Sequence, residues 1–169
     1  MSHLIEKPLP QLNLKAIYKN ELVEDFSSIY KINRPLAVIF FPWCAGFVCP
    51  IEFSKFQNSL SSFLENEIDV IAVIRKSPVF IQTLKKKSMR DGGLLEVDYP
   101  ILCDEDASFS KQCDAYCEES EMLRRSVILT DENGTIIHTS TNDTHIERRP
   151  QDLLSVFHSY AKFKACNHF

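Results

Sequence analysis

The sequence is poor in glycine, with 4 residues in 169, and holds 8 prolines, which excludes a collagen-like repeat. It also has no surplus of positive charge: 19 Lys+Arg stand against 23 Asp+Glu, a formal net charge of -4. That balance gives no general electrostatic pull toward nucleic acid or an anionic membrane. The basic clusters are short, namely Lys85 to Lys87, Arg124 with Arg125, and Arg148 with Arg149. No apolar run approaches the length that crosses a bilayer, and Met1-Ser2-His3-Leu4-Ile5-Glu6-Lys7-Pro8 lacks the apolar core of a signal peptide. The expectation is a cytoplasmic, reducing setting without nucleic-acid or membrane partners. Hydrophobic residues at 44% and charged residues at 25% are ordinary for a globular chain, and the length suits one domain over 1–169.

Six cysteines are what the composition has in excess. They are too few for a small disulfide-stapled scaffold, and a reducing compartment disfavours persistent disulfides. The cysteines are therefore expected as buried hydrophobes, metal ligands or reactive thiols.

Elements of two periods alternate along the chain, the signature of an α/β domain. Leu36 to Phe41 and Ile68 to Ile74 are continuous apolar runs that read as buried central strands. Between them Phe53, Phe56, Leu60, Phe63 and Leu64 recur at helical spacing, which predicts one helix from Pro50 onward. Ser77-Pro78 opens a second helix running toward Lys85 to Lys87, read as a solvated, dipole-complementing end. Asp104-Glu105-Asp106 precedes a short helix expected to carry Phe109, Cys113 and Tyr116 on its core side. Ser126 to Thr130 and Thr135 to Thr139 flank Asp131-Glu132-Asn133-Gly134, a hairpin signal, and Pro150 opens a last helix. This order fits a thioredoxin-like plan, a central mixed β-sheet flanked by helices, with chemistry where the first buried strand gives way to its helix.

That junction reads Phe40-Phe41-Pro42-Trp43-Cys44-Ala45-Gly46-Phe47-Val48-Cys49-Pro50-Ile51-Glu52. Cys49 falls at the cap or first turn of the helix, where unpaired N–H groups and the positive dipole end favour a thiolate, so a lowered thiol pKa is expected. Here the chain resembles the peroxiredoxins of the alkyl hydroperoxide reductase and thiol-specific antioxidant group, whose active-site segment is usually F-F/Y-P-x-D-F-T-F-V-C-P-T-E. Leu9-Pro10-Gln11-Leu12-Asn13-Leu14 resembles the family's N-terminal P-x-F-x-L strand. Tyr99-Pro100-Ile101-Leu102-Cys103-Asp104 is similar to its F-P-L-L-S-D, and Arg125-Ser126-Val127-Ile128-Leu129-Thr130-Asp131 to its R-G-x-F-I-I-D. Four matches in one order make the resemblance specific.

The resemblance implies a peroxidase in which Cys49 is the peroxidatic cysteine, attacking a hydroperoxide and becoming a sulfenic acid. Arg125 then stabilises the thiolate and donates to the peroxide oxygens, Pro42 shields the pocket, and Glu52 joins the network around the arginine. The substrates implied are hydrogen peroxide or organic hydroperoxides, the reductant is thioredoxin, glutaredoxin or another thiol, and the assembly is a homodimer. The chain departs from the pattern at Gly46, which stands where the family has a threonine hydroxyl, and at Cys44, which replaces an aspartate. Losing one preorganised donor typically costs on the order of 10²–10³ in rate.

Two cysteines compete to resolve Cys49. Residues five apart within one helix lie about 8–9 Å apart at Cα, beyond disulfide reach, so a Cys44 to Cys49 bridge requires a bend at Ala45-Gly46. Cys166 follows the last helix, about where typical two-cysteine relatives place a resolving cysteine that bridges to a partner subunit. Cys113 and Cys117, four apart, join Cys44 and Cys49 as a nominal zinc set, but both are more economically core, as is Cys103. The five histidines show no metal-ligand spacing, and no phosphate-binding or dinucleotide fingerprint appears, so no cofactor or metal is expected. Two alternatives use the same residues: a thiol-disulfide oxidoreductase working through Cys44 and Cys49, and a non-catalytic redox sensor.

Overall fold

Six consecutive apolar residues, Leu36–Phe41, form the strand around which the molecule is built, and all six are buried. A run apolar at every position suits a strand covered on both faces. Its alternation divides the core in two. Ala37, Ile39 and Phe41 meet Phe53, Phe56, Phe63, Ile81 and Leu153 on one face, while Leu36, Val38 and Phe40 meet Phe26, Phe109, Leu123 and Ile128 on the other.

The computed structural model describes residues 1–43 and 48–167. In chain order its elements are β1 (Lys15–Tyr18), β2 (Glu21–Val23), β3 (Leu36–Phe41), α1 (Val48–Asn58), α2 (Leu60–Glu65), β4 (Asp69–Ile74), α3 (Pro78–Leu84) and β5 (Ile101–Cys103). There follow α4 (Ser108–Gln112), β6 (Tyr116–Cys117), β7 (Met122–Leu123), β8 (Arg125–Thr130), β9 (Ile136–Asn142) and α5 (Pro150–Cys166). Seven strands make one sheet in the order β2-β1-β5-β4-β3-β8-β9, and β6 pairs with β7 apart from it. β3, β4 and β5 are parallel, with Leu36 opposite Asp69 and Phe41 opposite Ile74, whereas β8 runs antiparallel to both β3 and β9. The sheet is mixed and flanked by helices, as expected.

Several local expectations hold for identifiable reasons. The Ser77 side chain accepts from the Phe80 N–H at 3.2 Å, with Pro78 beginning α3. Asp131 Oδ1 accepts from the N–H groups of Asn133 and Thr135, and Gly134 takes φ +81 in the turn between β8 and β9.

Others are corrected. The helix expected from Pro50 begins at Val48 and breaks at Ser59, so that Phe56 and Phe63 meet at 6.2 Å while Leu64 stays exposed. Lys85 is not a solvated helix end: it is buried and donates to the carbonyls of Val97 and Leu95, holding the segment that leads into β5. Residues 9–14 are not a strand: Pro8 forms an isolated antiparallel bridge with Thr135, and the first strand begins at Lys15 in β1. The helix before Cys113 ends at Gln112 because Asp114 turns left-handed at φ 53, which puts Cys117 on β6 rather than on a shared helical face. Cys117 is half-buried rather than core.

Candidate active site

Cys49 lies in the first turn of α1, just beyond the C-terminal end of β3, and is only 2% exposed. Its sulfur has two N–H donors among the described residues. Arg125 Nη2 reaches Sγ at 3.4 Å from the start of β8, and the backbone N–H of Trp43 reaches it at 3.3 Å. Phe53, one turn along the same helix, stacks on Phe41 at 3.8 Å and on Tyr99 at 6.0 Å, and Tyr99 Oη donates to the Phe53 carbonyl at 3.0 Å. This aromatic stack fixes the inner face of α1 against the sheet.

Glu52, three residues after Cys49, is fully buried and ion-pairs with Arg125. A second arginine closes the network. Arg148 donates through Nε to Glu52 Oε2 at 2.8 Å and through Nη2 to Oε1 at 2.9 Å, and its backbone N–H donates to Oε2 at 2.6 Å. Its Nη1 donates to the carbonyls of Phe40 at 2.7 Å and Ser126 at 2.6 Å, and the guanidinium lies 4.9 Å from the Phe41 ring centroid. Arg125 Nε is held by the Thr144 carbonyl at 3.1 Å. Both arginines are thus fixed through several donors, as planar guanidinium groups allow.

These residues stand in opposition over the thiol. Burial pushes the Cys49 pKa up, the Arg125 charge and hydrogen bond and the Trp43 N–H pull it down, and the Glu52 carboxylate raises it again. Burial prevails, so Cys49 sits above its ordinary value, against the expectation of a lowered one. Burial likewise pulls Arg148 below its ordinary value, with Glu52 opposing the shift.

The structure therefore brings together Cys49, Arg125 and Glu52, and places Pro42, buried, immediately after β3. The expectations for Cys44 and Gly46 lie outside the described residues. Cys166, a free and exposed thiol, ends α5. Lys164 beside it pairs with Glu132 in the turn after β8, whereas Arg125 meets Cys49 at the opposite end of that strand. Cys166 is thus at the other end of the sheet from Cys49. Cys103 and Cys113 are buried, and burial raises each thiol to about 12. Cys113 packs on the opposite face of the sheet from Cys49, which removes the nominal zinc set. Among the described residues no three His, Cys, Asp or Glu side chains cluster as a metal site, and no helix is long and apolar enough to cross a membrane.

Arg148 and the Trp43 N–H are the participants that sequence reasoning did not single out. A signal for the arginine was present: Arg148-Arg149 precedes Pro150 at a helix N-terminus, where the dipole disfavours cations. A cation placed there needs a partner elsewhere, and Glu52 is that partner.

Comparison with known proteins gives the family. Residues 5–139 match the family model described as the AhpC/TSA family. The peroxiredoxin TSA1-B of Candida albicans is 24% identical over 160 residues, covering 95% of this chain and 81% of its own. Alkyl hydroperoxide reductase C of Helicobacter pylori is 28% identical over 163 residues, covering 95% and 82%. The mitochondrial 2-Cys peroxiredoxin of Plasmodium falciparum superposes with a TM-score of 0.86 at 23% identity, covering 98% of this chain and 99% of that one. Enterococcus faecalis AhpC gives 0.86 at 22% identity, covering 98% and 96%. The fold is thioredoxin-like, and with most of its length matched to the family model the chain belongs to the AhpC/TSA family of peroxiredoxins.

Proposed function

We propose that Cys49 is the reacting thiol of this thiol-dependent peroxidase and that Arg125 is its catalytic partner. The observation that carries the reading is the Arg125 guanidinium 3.4 Å from Sγ, with its orientation set by buried Glu52. The Cys49 thiolate attacks the terminal oxygen of hydrogen peroxide or an organic hydroperoxide. An S–O bond forms, the O–O bond breaks, and the leaving oxygen takes a proton from solvent as water or alcohol. Sulfur is oxidised by two electrons to a sulfenic acid. Arg125 donates to the oxygens as negative charge moves onto the leaving atom.

A second thiol then attacks the sulfenic sulfur, releasing water and leaving a disulfide. Cys44 is the candidate within the same segment, and Cys166 of a second copy is the alternative. A thioredoxin, glutaredoxin or other external thiol supplies the two electrons that restore Cys49. A reducing, cytoplasmic compartment is the setting proposed.

A homodimer is proposed through β9. It is an edge strand whose segment His138-Thr139-Ser140-Thr141-Asn142 carries no Lys, Arg, Asp or Glu of the kind that guards exposed edges. Sedimentation that gives the mass of one chain at all concentrations rejects the dimer.

The deciding measurement is peroxide consumption by the wild type and by Cys49→Ser with a thiol donor. Turnover is expected only in the wild type, and equal turnover in both removes the reading. Peptide mapping after one equivalent of peroxide then identifies whether Cys49 pairs with Cys44 or Cys166.

A further inference from the structure

We propose that Trp43 is a positioning residue: its indole, wedged edge-on against Phe53 and Phe80, holds its own backbone N–H as a donor to the Cys49 sulfur. The inference rests on the reading of Cys49 as the reacting thiol. Residue 43 has φ 49, a left-handed conformation that a bulky non-glycine side chain rarely adopts. Packing supplies the compensation. The indole meets Phe53 at 5.8 Å and 76°, and Phe80 at 6.3 Å and 84°, both edge-to-face geometries. Both neighbours are themselves held, Phe53 by its stack on Phe41 and Phe80 by α3 and by Lys76 Nζ 5.1 Å from its ring. In this conformation the Trp43 N–H reaches Sγ at 3.3 Å, from a different element than Arg125.

The sequence gives this donor added weight. With Gly46 at the position where the resembled motif has threonine, the chain lacks that hydroxyl, and the Trp43 N–H is a backbone donor that no side-chain substitution at residue 46 removes. A hydrogen bond to a charged acceptor is stronger than one to a neutral acceptor, so this N–H favours the thiolate over the thiol.

The test deletes the N–H while keeping the ring. Replacing Trp43 with indole-3-lactic acid converts the Pro42–Trp43 amide into an ester. The pH profile of Cys49 alkylation by iodoacetamide is then followed at the Cys49 peptide by mass spectrometry. The profile is expected to move to higher pH, with alkylation at neutral pH slowed about tenfold and reaction with hydrogen peroxide slowed alongside it. Trp43→Ala, which removes the ring and keeps the amide, is expected to move the profile in the same direction as the ester. Superimposable ester and wild-type profiles overturn the proposal, and a Trp43→Ala profile superimposable on the wild type overturns the wedge. Failure of the underlying reading shows separately, as peroxide turnover that persists in Cys49→Ser.

Discussion

Arg148 grips both carboxylate oxygens of Glu52, using its side chain and its own backbone N–H, and shares Oε1 with Arg125. Glu52 is thus the shared counter-ion of two arginines, all three buried. Removing the carboxylate leaves two cations in the interior without their partner. Glu52→Ala is therefore expected to lower stability by about 3–5 kcal/mol, measured by urea denaturation. A loss below about 1 kcal/mol contradicts the pairing.

Arg125→Met tests the charge over the thiol. A thiolate is the reactive form, so the rate of Cys49 alkylation or oxidation rises as pH climbs through its pKa. That pKa already lies above the ordinary thiol value because burial prevails, and Arg125 is the largest influence holding it down. Without the arginine the profile moves further up in pH, and peroxide reduction at neutral pH falls by roughly 10²–10³. Stopped-flow peroxide kinetics across pH measures both effects.

The described cysteines should separate by accessibility. Cys103 and Cys113 are buried, with thiols raised to about 12, while Cys166 is exposed and Cys117 is half-buried with its thiol lowered by hydrogen bonds involving Ser120. Timed alkylation of the native protein near neutral pH, read by peptide mass, is expected to label Cys117 and Cys166 first. Cys103 and Cys113 should react only on unfolding. Early labelling of Cys113 contradicts its place in the core.

Ser77→Ala removes the acceptor for the Phe80 N–H at the start of α3. The expected cost is about 1 kcal/mol by thermal or chemical denaturation, with little change in peroxide turnover, because the cap touches neither Cys49 nor Arg125.

What was legible in the sequence follows the range of the interactions. β3 was readable because its six residues are apolar at every position, and the β8–β9 turn because Asp131 and Gly134 act locally. The meeting of Cys49 with Arg125 spans 76 positions and could be anticipated only through motif register. Arg148 escaped because its tie to Glu52 spans 96 positions, while its immediate neighbours present it as half of a surface pair. The break at Ser59 was hidden because apolar spacing continues across it. Lys85 was misread for a similar reason: a lysine at a helix end looks solvated until a later segment folds over it and supplies the Val97 carbonyl.

The bonds from Arg148 to the Phe40 and Ser126 carbonyls have a consequence for the sheet. The β3–β8 ladder ends at Ile39 opposite Val127, and Phe40 and Ser126 are the residues that would have paired next. A guanidinium nitrogen takes the place of that rung, bridging the two carbonyls close to where Arg125 reaches Cys49. The strut joins the end of the sheet to Glu52, so local opening of β3 at Phe40 and Phe41 and loosening of the carboxylate become one event. Amide exchange at those two residues should therefore report on the order of the arginine pair, even though neither residue belongs to it.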